Sequence, residues 1–339
     1  MSTSADGVNK PVIAYKQKFT PRLFLSRNGT QVGIFAMFMV IWLIFILAAP
    51  QTFLSSRIYQ AFMTTVPFFG IIALPLTMLV IEGEMDLSFP SVMGISVVGF
   101  LFLYNTTGSP FLGLIAALVV GVGCGLLNGG LVVLIGIPSL VATIGTQFLL
   151  RGATVLLVNG KGQTLGELRE TFLYQVLVGK TFGVIPNQFF WMIFVAIGCW
   201  LLLNRTAFGA HIYLIGDNEN SAKLMGVNVR RTRVFTFILV AVAAAFGGVL
   251  ATFQVANFFP SLGEGYLLQT LASVFLGGTS VFGGVGTIFG TFLGSYIIGA
   301  INAAVIAMGL TGFWTQFIYG LIIIVSVSFF ALMRRRMAR

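Results

Sequence analysis

The stretch "VIEGEMDLSFPS", Val80 to Ser91, places three of the chain's nine acidic residues, Glu82, Glu84 and Asp86, between two apolar runs, with Ser88 close behind. Carboxylates accept hydrogen bonds from several hydroxyls at once and also hold protons or small cations. The cluster therefore suits either contact with a hydroxylated solute or an ion site. The plainer alternative is a break in the chain that reaches the membrane surface, where the acids are solvated. A second polar set lies in "PSLVATIGTQFLLRGAT", where Ser139, Thr143, Gln147 and Arg151 are spaced by four and form one stripe on a helix. Serine and threonine there can bond back to their own helix and the glutamine can bridge to a neighbour. A guanidinium roughly 20 Å along that helix, at ~1.5 Å per residue, has to line a pore or pair with an acid. Gln254 and Asn257 are weaker candidates of the same kind.

No enzyme chemistry assembles from the remaining residues. The one histidine, His211, and the isolated Cys124 and Cys199 supply no transition-metal cluster, and both cysteines sit in apolar runs as small hydrophobes. No nucleophile, base and metal converge, and no G-x-x-x-x-G-K-[ST] loop is present. The chain is expected to be no enzyme and to bind neither metal nor cofactor.

The elements that position these residues follow from composition. The 339 residues are 57% hydrophobic and 8% charged, with mean hydropathy +0.99 and 34 Phe, whereas soluble domains are about one quarter charged. This is the composition of an all-α integral membrane protein. About 20 apolar residues cross ~30 Å of hydrocarbon, and ten such segments are predicted: 31–50, 61–81, 88–105, 111–135, 138–158, 187–204, 235–257, 266–280, 285–307 and 314–333. The third and eighth are interrupted by polar or glycine-rich stretches. Residues 1–30 read as a polar tail without the layout of a signal peptide, 31–333 as the membrane domain with long loops at 159–186 and 205–234, and 334–339 as a basic tail.

Basic residues cluster in the N-terminal tail, in the 205–234 loop (Arg205, Lys223, Arg230, Arg231, Arg233) and at the C-terminus (Arg334, Arg335, Arg336, Arg339). Ten crossings put all three on one side, so the positive-inside rule predicts both termini in the cytoplasm and the 159–186 loop outside. The net charge of +10 then reflects an anionic inner leaflet, not nucleic acid.

Glycine stripes at Gly121, Gly125 and Gly129, and at Gly286, Gly290 and Gly294, have the small-xxx-small spacing of close helix packing. A faint internal repeat joins "VIEGEMDLSFPS" to "FLGGTSVFGGVGTIFG" (Phe275 to Gly290): each is an apolar run, a short polar or glycine-rich break, and a resumed helix. Interrupted helices at matching places in two halves point to a transporter's substrate region. In the loop "NRTAFGAHIYLIGDNENSAKLMGVNVRRTRV", helix-start residues from Asp217 to Ser221 precede "AKLMGV", predicting a short helix along the membrane surface.

Together these segments resemble, from about residue 60 to 333, the inner-membrane permeases of bacterial ATP-binding-cassette (ABC) importers for simple sugars of the ribose, xylose, arabinose and galactoside type. "LTMLVIEGEMDLSFPSVMG" is similar to the family's T-L-V-I-x-x-G-I-D-L-S-V-G-S segment, and "VATIGTQFLLRGATVLLVNG" to its A-T-L-x-x-x-x-x-R-G. "FGAHIYLIGDNENSAKLMGVNV" resembles its G-x-x-I-Y-A-x-G-x-N-x-x-A-A-x-x-x-G-I-x-V loop, and "LGGTSVFGGVGTIFGTFLG" its L-G-G-T-S-x-x-G-G-x-G-x-x-x-G-x-x-x-G. The resemblance implies a permease paired with a second copy or paralogue. It would sit on cytoplasmic ATPase subunits, which hold the ATP and Mg, and take a monosaccharide or polyol from a periplasmic binding protein. Asn218, Glu219, Ser221, Ala222, Leu224, Met225 and Gly226 would form the segment that docks into the ATPase. Glu84-Met85-Asp86 stands where the family has G-I-D, and Phe89-Pro90-Ser91 where it has V-G-S, so ribose itself is not carried over. The competing expectation is an ion-coupled secondary transporter using Glu82, Glu84 or Asp86.

Overall fold

The computed structural model describes residues 21–337, with side chains described over residues 31–332. Nearly all of it is helix: α1 Pro21–Ala48, α2 Pro50–Phe53, α3 Ser56–Ile81, α4 Phe89–Thr107, α5 Pro110–Gly130, α6 Ser139–Leu157, α7 Phe172–Val178, α8 Asn187–Arg205, α9 Ala207–Asp217, α10 Glu219–Leu224, α11 Val229–Val255, α12 Tyr266–Leu276, α13 Ile288–Ala307 and α14 Phe313–Met337. A π-helical turn, Leu131–Ile135, extends α5. Four two-residue strands, β1 Gln163–Thr164, β2 Lys180–Thr181, β3 Ile185–Pro186 and β4 Asn257–Phe258, form two antiparallel pairs, β1 with β4 and β2 with β3.

Among the described residues, nine helices are long and apolar enough to cross a membrane. The predicted eighth crossing at 266–280 is instead the 11-residue α12, about 16 Å long and half of a bilayer core. It stops where Gly277 and Gly278 open the run "GGTSVFGGVG", which has too little helix propensity to continue. Two other boundaries move. Helix α1 begins at Pro21, inside the segment read as a tail, and α14 runs through Arg334–Arg336 to Met337; residues 1–20 lie outside the described residues.

Helix α3 is the axis of the fold: 89% of its apolar window is buried, against 6% for α1 and 11% for α14 at the periphery. It packs against α8, α11, α12 and α13. The α5 stripe explains the tightest seam. A Cβ at Gly125 would lie 2.5 Å from Ile238 Cα, at Gly121 2.8 Å from Ala245 Cβ, and at Gly129 3.0 Å from Val234 Cα, so α5 and α11 meet backbone to backbone. The α13 stripe meets α12 and its break in the same way, Gly290 against the Gly277 carbonyl and Gly294 against the Ser273 carbonyl, while Gly286 packs on Ile81.

Candidate functional site

Two breaks organise the polar residues, one between α3 and α4 and one between α12 and α13. They touch. The Gly284 N–H donates to the Ile81 carbonyl at 2.8 Å, and within the adjoining helices the hydroxyls of Thr77 and Thr291 lie 2.6 Å apart in a fully buried pair. The repeat read in the sequence thus corresponds to two breaks side by side.

The three acids of the first break have different surroundings. Asp86 is fully buried, and one of its oxygens accepts from the Ser88 N–H and the Ser88 hydroxyl, each at 2.7 Å. Asn128 of α5 donates to the other oxygen at 3.3 Å and to Ser88 Oγ at 2.7 Å, and Thr146 of α6 donates to Asn128 Oδ1 at 2.7 Å. Asp86, Ser88, Asn128 and Thr146 are all buried, so one closed network fixes the start of α4 against α5 and α6. Glu82 ends α3 at 2% exposure, and neither carboxyl oxygen has a hydrogen-bond partner among the described residues. Glu84 faces a different element: its Oε1 lies 3.1 Å from Arg233 Nε of α11.

The α6 stripe divides as well. Ser139 Oγ accepts the Met85 N–H at 3.2 Å, and Thr143 donates to the Ser139 carbonyl at 2.7 Å and reaches the Met85 carbonyl at 3.5 Å, so this end of α6 braces the first break. Gln147 is half-buried with no hydrogen-bond partner among the described residues. Arg151 donates to the carbonyls of Pro260, Leu262 (2.9 Å) and Pro90 (3.4 Å), and its Nε lies 3.6 Å from Glu264. The physical reason lies in the half-length of α12. β4 pairs with β1, and Asn105 near the end of α4 bonds Gln163 of β1, whereas the second break meets Ile81 below the start of α4. The segment 257–284 therefore spans from one end of the molecule to the other, with a stretch of turns over 260–265 covering length that α12 is too short to span. Carbonyls of such a stretch need donors at membrane depth, and Arg151 supplies them.

Gln254 and Asn257 lie at the β1 end. Gln188 of α8 donates to Gln254 Oε1, and Asn257 is the β4 residue paired with Thr164. The structure does not bring them to the breaks.

At the opposite end, α10 is built as the loop sequence dictates. Asn218 is its N-cap and accepts the Ser221 N–H at 2.9 Å; Glu219 occupies the first turn, where a negative charge suits the helix dipole. Gly226 at φ +82 closes it, and the Val227 N–H returns to the Ala222 carbonyl at 3.0 Å, a Schellman ending that a side chain at Gly226 would strain. Ala222, Val227, Val229 and Ile215 form a small buried cluster beneath, while Leu224 (91%) and Met225 (60%) are exposed. Glu219 pairs with Lys223 at 2.6 Å and with Arg233 Nη2 at 2.7 Å. The hydrogen-bonded Lys223 ammonium, with Arg233 beside it, holds the Glu219 carboxyl below the ordinary glutamate range.

Sequence reasoning missed four residues. Asn128, a lone amide in the apolar "CGLLNGG", and Thr146, one position off the four-residue stripe, left faint signals. Arg233 was visible only as one of a basic cluster, and Tyr213, whose hydroxyl donates to the Gly286 carbonyl at 2.9 Å, only as part of the I-Y pair in the loop motif. Among the described residues no group of three or more His, Cys, Asp or Glu could hold a metal ion.

A family model described as "Branched-chain amino acid transport system / permease component" matches residues 58–327, both breaks and the α9–α10 loop included. The chain belongs to this permease family. Among relatives, it is 30% identical over 300 residues to the autoinducer 2 import system permease protein LsrC of Yersinia enterocolitica, covering 88% of this chain and 81% of the relative. It is 31% identical over 261 residues to LsrD of Salmonella typhi, covering 76% and 78%, and 28% identical over 259 residues to the ribose import permease protein RbsC of Escherichia coli, covering 76% and 80%. No solved structure matches. The permease is thus a multi-pass inner-membrane transport subunit of an ABC importer and not an enzyme, and an ATPase and a binding protein are its general partners. This sets aside the ion-coupled alternative for the three acids.

Proposed function

We propose that this permease imports a monosaccharide or related polyol, received from a periplasmic binding protein and admitted by movement at the two touching breaks. The observation that carries the solute class is the pairing of similarity to a ribose permease over three quarters of the chain with a first break whose shape is set by Asp86 and Ser88. The family description names branched-chain amino acids, but the three relatives described above, each aligned over three quarters of the chain or more, are named for autoinducer 2 and ribose. In this reading the basic end is cytoplasmic. The segment from Asn218 to Gly226 meets the ATPase, with exposed Leu224 and Met225 as its apolar contact and the Gly226 ending fixing the helix. ATP and Mg belong to that partner, and a second permease, identical or related, completes the path. Gln147, half-buried and without a chain partner, is the α6 side chain best placed to meet solute.

The test is a thermal-shift screen of the cognate binding protein against monosaccharides, polyols and branched-chain amino acids. Stabilisation by a sugar or polyol is expected. Stabilisation by leucine, isoleucine or valine alone contradicts the solute class.

A further inference from the structure

We propose that Arg233 is a positioning residue that transmits movement of the α9–α10 segment to the first break, through Glu219 on one side and Glu84 on the other. The proposal rests on the reading that α10 meets the ATPase. Its geometry is a bridge: one guanidinium on α11 contacts Glu219 Oε2 at 2.7 Å and Glu84 Oε1 at 3.1 Å, joining elements more than 130 residues apart in sequence. The contact with Glu84 is a charge pairing, since the Nε hydrogen is not aimed at that oxygen. The planar fork of arginine can hold two carboxylates in fixed directions, which a lysine ammonium cannot.

Burial gives the bridge its strength. The side chains of Arg233 and Glu84 are only 17% and 13% exposed, so their attraction is screened far less than that of a surface pair. Glu82 is enclosed beside them, and neither of its carboxyl oxygens has a hydrogen-bond partner among the described residues. Loss of Arg233 therefore leaves Glu84, a largely buried carboxylate of the break, without its charge partner. Each end of the bridge sits on a stiff support: Arg233 in the second turn of the 27-residue α11, and Glu219 in the capped first turn of α10 over its buried Ala222.

The same segment reaches the second break by its own contacts. Tyr213 of α9 donates to the Gly286 carbonyl, and Gly216 lies so close to the Ile81 carbonyl and the Gly284 amide that a Cβ there would overlap both. A shift of α9–α10 thus bears on both breaks together, the first through charges and the Gly216–Ile81 contact, the second through Tyr213 and the Gly216–Gly284 contact.

The experiment uses the whole transporter, permease with its ATPase and binding protein in proteoliposomes, and reads the stimulation of ATP hydrolysis by the binding protein. Linkage is reciprocal, so a relay from α10 to the break also carries the signal back. Glu84→Gln and Glu219→Gln are each expected to reduce that stimulation about fivefold or more, and the double variant is expected to do no worse than either, because a chain is broken once. Arg233→Lys, which keeps the charge, is expected to show the same loss. Stimulation at the wild-type level in the single variants, or effects that multiply in the double, overturns the relay. Leu224→Asp separates the underlying reading. If that variant still retains the ATPase in a pull-down, docking through α10 fails and takes the proposal with it. If the ATPase is lost there while Glu84→Gln is stimulated normally, the relay alone fails.

Discussion

At the scale of residues, three neighbouring carboxylates serve three surroundings, and the surroundings rather than the acids decide what each does. Asp86 receives three donor contacts in a closed buried network, and amidation would set an NH2 group against the Ser88 and Asn128 donors. Charged hydrogen bonds of this kind contribute about 1.5–3 kcal/mol, so Asp86→Asn is expected to lower the melting temperature of purified permease by several degrees and to reduce uptake per molecule in the membrane. Wild-type values in both would remove the network from the account. Asp86 and Ser88 were legible in "EGEMDLS" because their bonds are local. Asn128 and Thr146 were not, since partners 40 and 18 residues distant leave no periodic trace in one sequence. Arg151 was legible as a charge in need of partners, but its partners are mostly backbone carbonyls, which carry no residue signature.

At the scale of elements, spacing carried more. The four-residue glycine stripes mark the faces on which α5 meets α11 and α13 meets α12, and α5 contains its own control. A Cβ at Gly125 would collide with the Ile238 backbone, while one at Gly123 would meet nothing within 4 Å. Gly125→Leu is expected to cut the yield of monodisperse permease in detergent, and Gly123→Leu to leave it unchanged, as measured by size-exclusion chromatography; overpacking costs about 1–3 kcal/mol or more where backbone must move. Equal yields would place the seam elsewhere. What spacing did not reveal was the length of α12. The apolar window 266–280 reads as a crossing whether its chain stays helical throughout or, as here, leaves the helix after Leu276.

At the scale of the whole molecule, two breaks meet at their backbones, and a capped surface helix is tied to both of them. In the proposed reading, the solute passes at the breaks and the force arrives through α10 from a partner that hydrolyses ATP. The most direct test of that claim is uptake of radiolabelled monosaccharide by proteoliposomes holding the permease, its ATPase and its binding protein. With ATP supplied on the ATPase side and no sodium or proton gradient, accumulation is predicted, and it is predicted to vanish when the ATPase subunit is omitted. Accumulation by the permease alone, driven by an imposed ion gradient, would contradict the account.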